Sequence, residues 1–138
     1  CQFHDVVAAC ASRAVTWITK DMQAAYLQLH HAGIAHSIEV YDENEDLAGG
    51  LYGVFVKNCF CGESMFSQQS NASKLALITL ARFLHENGCS LIDCQLPTQH
   101  LWRLGAINLP QATFIEKLRT MPDNFLLSNK KWVTIWAS

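Results

Sequence analysis

The sequence has no uninterrupted apolar run near the ~18 residues that a membrane-spanning helix needs, and no charged-then-apolar leader opens it. Broad basic clusters are missing too: the largest is the pair Lys130-Lys131, and 12 acidic against 10 basic residues leave a net charge of -2. A nucleic-acid partner gripped across a wide positive surface is therefore not announced. The six cysteines, Cys1, Cys10, Cys59, Cys61, Cys89 and Cys94, lack the paired spacing of a zinc ribbon. C-x-C and C-x4-C taken with His85 or His100 make a poor ligand set, so no metal is expected. "GESMF" lacks the closing glycine of a G-x-S-x-G elbow, which argues against a serine hydrolase. What remains is a soluble, cytoplasmic protein whose thiols are mostly reduced and buried, with no internal repeat, low-complexity segment or linker.

What is present is core. Half of the 138 residues are hydrophobic (50%), enough for one sizeable core, so a single domain spanning 1–138 is expected. The opening "FHDVVAACAS" reads as a helix. Thr19 caps a second, with Met22, Tyr26 and Leu29 at helical spacing and Gly33 as its stop. In "IAHSIEVYD", His36, Ile38 and Val40 alternate with Ser37, Glu39 and Tyr41, the period of a strand. "LAGGLYGVFV" and "CFCGESMF", separated by Lys57-Asn58, read as two more strands in an antiparallel meander. Ser70 or Asn71 then caps "ASKLALITLARFLHEN", apolar on nearly every face and hence a central, buried helix ended by Gly88. "SLIDCQL" is a short strand closed by Pro97, and "HLWRLGA" and "QATFIEKLRT" are helices around a Leu109-Pro110 break. The tail "NFLLSNKKWVTIWAS" alternates weakly, as an edge strand would. The fold class expected is mixed α/β in packed layers, with a mainly antiparallel or mixed sheet.

Two acids stand out. A carboxylate inside a short apolar strand is costly unless bonded, so Asp93 between Ile92 and Cys94 needs a reason. Strand alternation puts Leu91, Asp93 and Gln95 on one face, at a strand end where clefts open. The plain alternative is an aspartate accepting backbone N–H groups in a loop. Glu63 in "CGESMFS" has an equally plain alternative, a solvated strand end. Leu77, Leu80 and Leu84 form one stripe of the long helix, and Phe60 precedes "CGES". Core packing and a lined apolar pocket look alike at this level. Trp17 is unremarkable if buried and informative if exposed.

The motifs "TWIT", "HSIEV", "GGLYGV", "FCGESMFS", "NASK", "LIDCQ" and "H...LGA..LP...F" occur in the order and spacing of the leucyl/phenylalanyl-tRNA–protein transferase family, which the chain resembles from about Phe3 to about Leu118. That resemblance implies an acyltransferase domain like the GNAT acetyltransferases. It implies a bacterial cytoplasmic enzyme, and no cofactor is expected, since the phosphate loop of an acetyl-coenzyme A site is missing; a monomer is expected. Its partners would be aminoacyl-tRNA carrying Leu, Phe or Met, and proteins beginning with Arg or Lys, which the transfer marks for degradation under the N-end rule. It assigns Asp93, Gln95 and Glu63 to the polar active site, Phe60, Leu77, Leu80 and Leu84 to the pocket for the transferred side chain, and Trp17 to stacking on the tRNA's terminal adenosine.

This chain departs from the family where Leu80 and Leu84 replace phenylalanines, where Gln111 follows Leu109-Pro110 in place of arginine, and at Trp102-Arg103. The family's small N-terminal domain, which supplies a second stacking tryptophan, is expected to be absent. A binding-only fragment and a GNAT-fold acyltransferase acting on another substrate class remain the alternatives.

Overall fold

The computed structural model describes residues 2–89 and 91–123, and the backbone of 134–136. Cys1, the Lys130-Lys131 pair and most of the tail lie outside the described residues.

Helix α1 (Phe3–Ala11) buries Phe3, Val6, Val7 and Cys10 along one stripe. Helix α2 (Lys20–His31) begins where Thr19 accepts the Met22 N–H and ends before Gly33, whose φ of 74° is left-handed. The meander follows as expected: β1 (Ala35–Tyr41), β2 (Leu47–Val56) and β3 (Cys59–Ser67), antiparallel throughout. After α3 (Ala72–Glu86) the chain returns as β4 (Leu91–Asp93), parallel to β3. Short helices α4 (Gln99–Arg103) and α5 (Gln111–Thr120) come next, and β5 (Thr134–Trp136) lies parallel to β1 at the sheet edge. The sheet order is β4-β3-β2-β1-β5. No helix among the described residues is long and apolar enough to cross a membrane.

Helices α1 and α2 cover one face of the sheet and α3 covers the other, which corrects two readings. The alternation in β1 does not separate core from solvent, because Ala35 through Val40 are all buried. Ala35 points into the core under α1 and α2, while Ile38 and Val40 point into the core under α3. The polar members Ser37 and Glu39 are buried with them, and the Ser37 hydroxyl donates to Glu39 at 2.6 Å. Helix α3, for its part, is not buried all round. Ala72, Ala76, Leu80 and Leu84 face the sheet, while Ile78 is 41% exposed on the outside, where nothing among the described residues packs over it. Its start also differs: Asn71 occupies the cap position in a left-handed conformation, but the hydroxyl that accepts the Ser73 N–H belongs to Ser67 of β3, at 2.8 Å.

Candidate active site

Strand β3 carries the site because its hydrogen-bonded ladder is irregular on both edges. Towards β2, Gly53 pairs with Gly62 but Tyr52 pairs with Ser64, so Glu63 is an extra residue with no partner opposite. That is a β-bulge, a device that re-aims side chains and flips the alternation beyond it. The flip is visible: Phe60 and Met65, five positions apart, both reach the core under α3, whereas Phe66 packs under α1. Towards β4, pairing runs only from Cys59↔Leu91 to Cys61↔Asp93. Gln95 then turns away with a φ of 54°, and β3 continues with no strand opposite on that side among the described residues.

The gap between the parting strands is a cavity of about 250 Å³ that reaches from one sheet face to the other. Phe60, Leu77, Leu80 and Met65 wall it from the α3 side, Tyr52, Arg13 and Trp17 from the α1 side, and Glu63 and Gln95 stand where the strands part. Trp17 is 49% exposed, too open for a core residue. A second, larger cleft of about 860 Å³ lies between β4, α3 and the α4–α5 segment. It is lined by Asp93 and Leu84, neither of which lines the first cavity, while Leu77, Ile92, Cys94, Gln95, Leu96 and Leu101 belong to both. The eight residues singled out in the sequence therefore fall around two adjoining cavities that share a wall containing Gln95.

Alternation placed Asp93 and Gln95 side by side on one strand face. The strand instead ends at Asp93, and the two are tied by a turn. The Gln95 N–H donates to Asp93 Oδ1 at 3.0 Å, and the Gln95 side-chain Nε2 donates to the Asp93 carbonyl at 3.3 Å. The plain reading of Asp93 as an acceptor of a loop N–H is thus part of its role. With Nε2 committed, the free end of Gln95 is its carbonyl oxygen.

Glu63 accepts the Tyr26 hydroxyl at 2.7 Å from α2, 37 positions away. Burial, followed by that bond and the carboxylate's charge, pushes the Tyr26 phenol far above its ordinary pKa. Arg13 spans the wall without meeting a carboxylate. Its guanidinium donates to the Cys10 carbonyl (3.1 Å), the Met65 carbonyl (3.2 Å) and the Ser64 hydroxyl (3.0 Å).

The thiols are poor nucleophile candidates. Cys94 lines both cavities, but burial and the Asp93 charge raise its pKa. In the coupled pair, the Cys59 thiol donates to Cys61, which lowers Cys61 and raises Cys59, yet Cys61 lines neither cavity. Cys10, Cys59, Cys61, Cys89 and Cys94 are all free, and no three metal-ligating side chains cluster among the described residues.

Sequence reasoning missed Tyr26, Tyr52 and Arg13 as site residues and weighed His100 only as a metal ligand. The Tyr52 hydroxyl and His100 Nε2 are buried with no hydrogen-bond partner among the described residues, and both residues line the smaller cavity. Tyr52 looks like strand filler between glycines, and Tyr26 like one more member of a helical stripe. Only the fold brings them to Glu63.

Residues 1–119 match the profile of a family described as leucyl/phenylalanyl-tRNA protein transferase. Individual relatives carry the same name. One from Pseudoalteromonas atlantica is 52% identical over 122 residues, covering 86% of this chain and 52% of the relative. Another, from Ectopseudomonas mendocina, is 54% identical over 121 residues, covering 85% and 53%. A third, from Rubrobacter xylanophilus, is 48% identical over 116 residues, covering 84% and 61%. The chain thus spans about half the length of the curated relatives it matches.

Proposed function

The chain belongs to the leucyl/phenylalanyl-tRNA protein transferase family, and on that premise we propose that it carries the catalytic part of an aminoacyltransferase. Leucine or phenylalanine, and also methionine, moves from its tRNA to the N-terminal α-amine of proteins beginning with Arg or Lys, marking them for degradation in the cytoplasm. The observation that supports this reading is the wall shared by two adjoining cavities, Gln95 among its residues, since such a transfer needs a donor and an acceptor held side by side.

The smaller cavity suits the donor. Its apolar walls take the transferred side chain, and about 250 Å³ exceeds the ~150 Å³ of an apolar cavity that holds benzene. Burying a Leu-sized group is worth about 1.5–3 kcal/mol, and a charged group there would lose its hydration without a return. Trp17, exposed at the mouth, offers a face for the terminal adenine. The larger cleft suits the acceptor, whose chain must arrive from solvent, and Asp93 faces it.

An aminoacyl ester is already activated, so the reaction needs a neutral amine near the carbonyl and stabilisation of the oxyanion. An α-amine with a pKa of about 7.7–8.0 is partly neutral at cellular pH. Gln95 has no useful basicity, but its side-chain oxygen accepts an N–H of the incoming amine and orients it. Asp93, across the turn, takes or relays the proton. The peptide groups of β3 beyond Cys61, with no strand opposite among the described residues, supply donors along the gap for the ester oxygen. The acetyltransferase-like fold is part of the same proposal, supported by a parallel pair of strands that parts beside a helix-covered sheet.

The test is transfer of radiolabelled leucine from leucyl-tRNA to a protein with an N-terminal arginine, run with this chain and with the full-length Pseudoalteromonas atlantica relative. Thermal shift with an amide-linked phenylalanyl-adenosine analogue and with acetyl-coenzyme A accompanies it. Stabilisation by the adenosine analogue alone supports the reading, and transfer by the chain itself extends it to catalysis. A folded chain that ignores the analogue and transfers nothing overturns it.

A further inference from the structure

The mouth of the smaller cavity carries a cation that the reaction scheme above does not use. Arg13 lies in the stretch 12–20 that leads from α1 into α2, exposed throughout except at Ile18, with two cations, Arg13 and Lys20, and no acid. It lines the cavity together with Trp17. Its guanidinium does not swing freely on its stem: Nε donates to the Cys10 carbonyl at the end of α1, and the two terminal nitrogens donate to the Met65 carbonyl and the Ser64 hydroxyl just past the bulge of β3. A charge that would otherwise wander over the surface is thus held against the strand that walls the cavity.

Those bonds leave the charge itself unanswered. All three acceptors are neutral, and no carboxylate among the described residues lies within ion-pair distance of Arg13. Each terminal nitrogen also has a second N–H that these bonds do not use. A clamp between α1 and β3 needs donors but no net charge, whereas an exposed, fixed guanidinium with N–H groups to offer is shaped for an anion that accepts from a fork, above all a phosphate. Trp17, 49% exposed on the same cavity wall, adds an aromatic face, and a cation beside an aromatic face is how proteins grip single-stranded nucleic acid.

We propose that Arg13 holds the phosphodiester on the 5′ side of the donor's terminal nucleotide, and so registers the donor from outside the cavity. This rests on the reading of the smaller cavity as the donor pocket. An aminoacyl ester hangs from the 2′ or 3′ oxygen of its ribose, while the phosphate leaves from the 5′ carbon at the opposite edge of the sugar. With the aminoacyl group inside and the adenine on Trp17, the 5′ phosphate faces the mouth, where Arg13 stands. A chain with a net charge of -2 then meets the nearest phosphate with one positioned charge rather than a broad positive surface. It prefers an aminoacyl group carried on a nucleotide to the same group carried on a nucleoside.

The test compares two ligands that differ in one phosphate: the amide-linked phenylalanyl-adenosine analogue with a free 5′-hydroxyl, and the same molecule carrying a 5′-methyl phosphate diester. The wild-type chain should bind the phosphate form about tenfold more tightly, and the preference should shrink as salt is raised. Arg13→Gln keeps amide donors but removes the charge, and should bring the ratio of the two affinities close to one. Arg13→Lys keeps the charge without the fork and should give an intermediate ratio. A merely structural arginine would leave the ratio in Arg13→Gln as it is in wild type, however much both affinities fell, and that result overturns the subsite. Equal binding of the two ligands by the wild-type chain also overturns it while leaving the donor pocket standing, and failure to bind either ligand overturns both. Should Arg13→Gln not fold, Arg13→Lys decides, an undiminished ratio there overturning the assignment of the phosphate to the guanidinium.

Discussion

Leu80→Ala separates the two roles that the smaller cavity assigns to one side chain. Leu80 is 0% exposed and packs with Ile38, Leu51, Phe60, Ala76 and Leu84 in the core under α3, while also forming part of the cavity wall. Core Leu→Ala changes cost about 2–5 kcal/mol, the upper part coming from the empty volume left behind. Here the lost carbons border an existing space of about 250 Å³, so no new sealed void forms. The stability cost should therefore lie near the lower limit, about 2–3 kcal/mol, read as a fall in the denaturation midpoint without a change in slope. The three carbons removed also leave a leucyl ligand without part of its contact. At about 0.8 kcal/mol per buried methylene, with some contacts kept, the loss is about 1–2 kcal/mol, or about five- to thirtyfold in affinity. A phenylalanyl ligand, longer by a ring, reaches into the vacated space and should lose little. Binding of leucyl- and phenylalanyl-adenosine amides to wild type and variant reads the difference directly. Equal losses for both ligands, with a stability cost near 5 kcal/mol, would show that Leu80 is core alone and that the cavity is not the side-chain pocket.

The other predictions concern charge, space and protonation. Asp93→Asn keeps an oxygen for the Gln95 N–H, so it should fold with stability within about 1 kcal/mol of wild type while slowing transfer by about 10²–10⁴. An unchanged rate would remove Asp93 from proton transfer. Gly53→Ala places a Cβ against the Cys61 carbonyl and within 2.6 Å of the Phe60 ring, and should cost about 3 kcal/mol in denaturant unfolding. Wild-type stability there would mean that β2 and β3 part more readily than their ladder implies. His36 is 6% exposed, and burial first, then the His30 charge, outweighs its bond to the Gly33 carbonyl and lowers its pKa from 6.5 to about 4. The unfolded chain then takes up a proton that the folded one refuses, so this contribution is complete above pH 6.5 and shrinks as pH falls towards 4. Between pH 7 and pH 5 the formal loss is about 2 kcal/mol, which screening around the ring reduces to about 1 kcal/mol. His36→Gln should lack this slope, and parallel stability curves for the two proteins would refute the argument.

Local chemistry explains which parts of this structure are legible in the sequence. Thr19 and Gly33 bracket α2 because a hydroxyl accepts an N–H at one end and a left-handed residue is needed at the other. Leu109-Pro110 separates α4 from α5, with Pro110 at the cap position. These signals act over a few residues, as does the alternation that places β1, β2 and β3. The burial of β1 on both faces was not legible, since it depends on helices far along the chain that cover the second face. The same holds for α3, whose apolar outer face suggests full burial until the sheet is seen to cover one side only. Gln95 misled for a different reason: alternation extrapolates past Asp93, but the aspartate's own carboxylate accepts the Gln95 N–H and ends the strand.

The bulge at Glu63 decides where the polar and apolar parts of the site lie. With Glu63 paired in the ladder instead, regular alternation from Phe60 would put Ser64 and Phe66 on its face and Met65 on the other. The cavity would then carry a hydroxyl on the wall where Met65 now completes the apolar lining, and the Arg13 guanidinium would lose the Ser64 hydroxyl that helps fix it. One unpaired residue lets a single strand show an apolar side to α3 and a polar one to α1, across a gap opened by the departure of β4. Glu63, the residue at the break, is thereby set beside Tyr26 and Tyr52 rather than in the ladder. Half-buried there, Glu63 accepts the Tyr26 hydroxyl, so the residue that breaks the alternation of the strand is also the one that brings a carboxylate to the cavity.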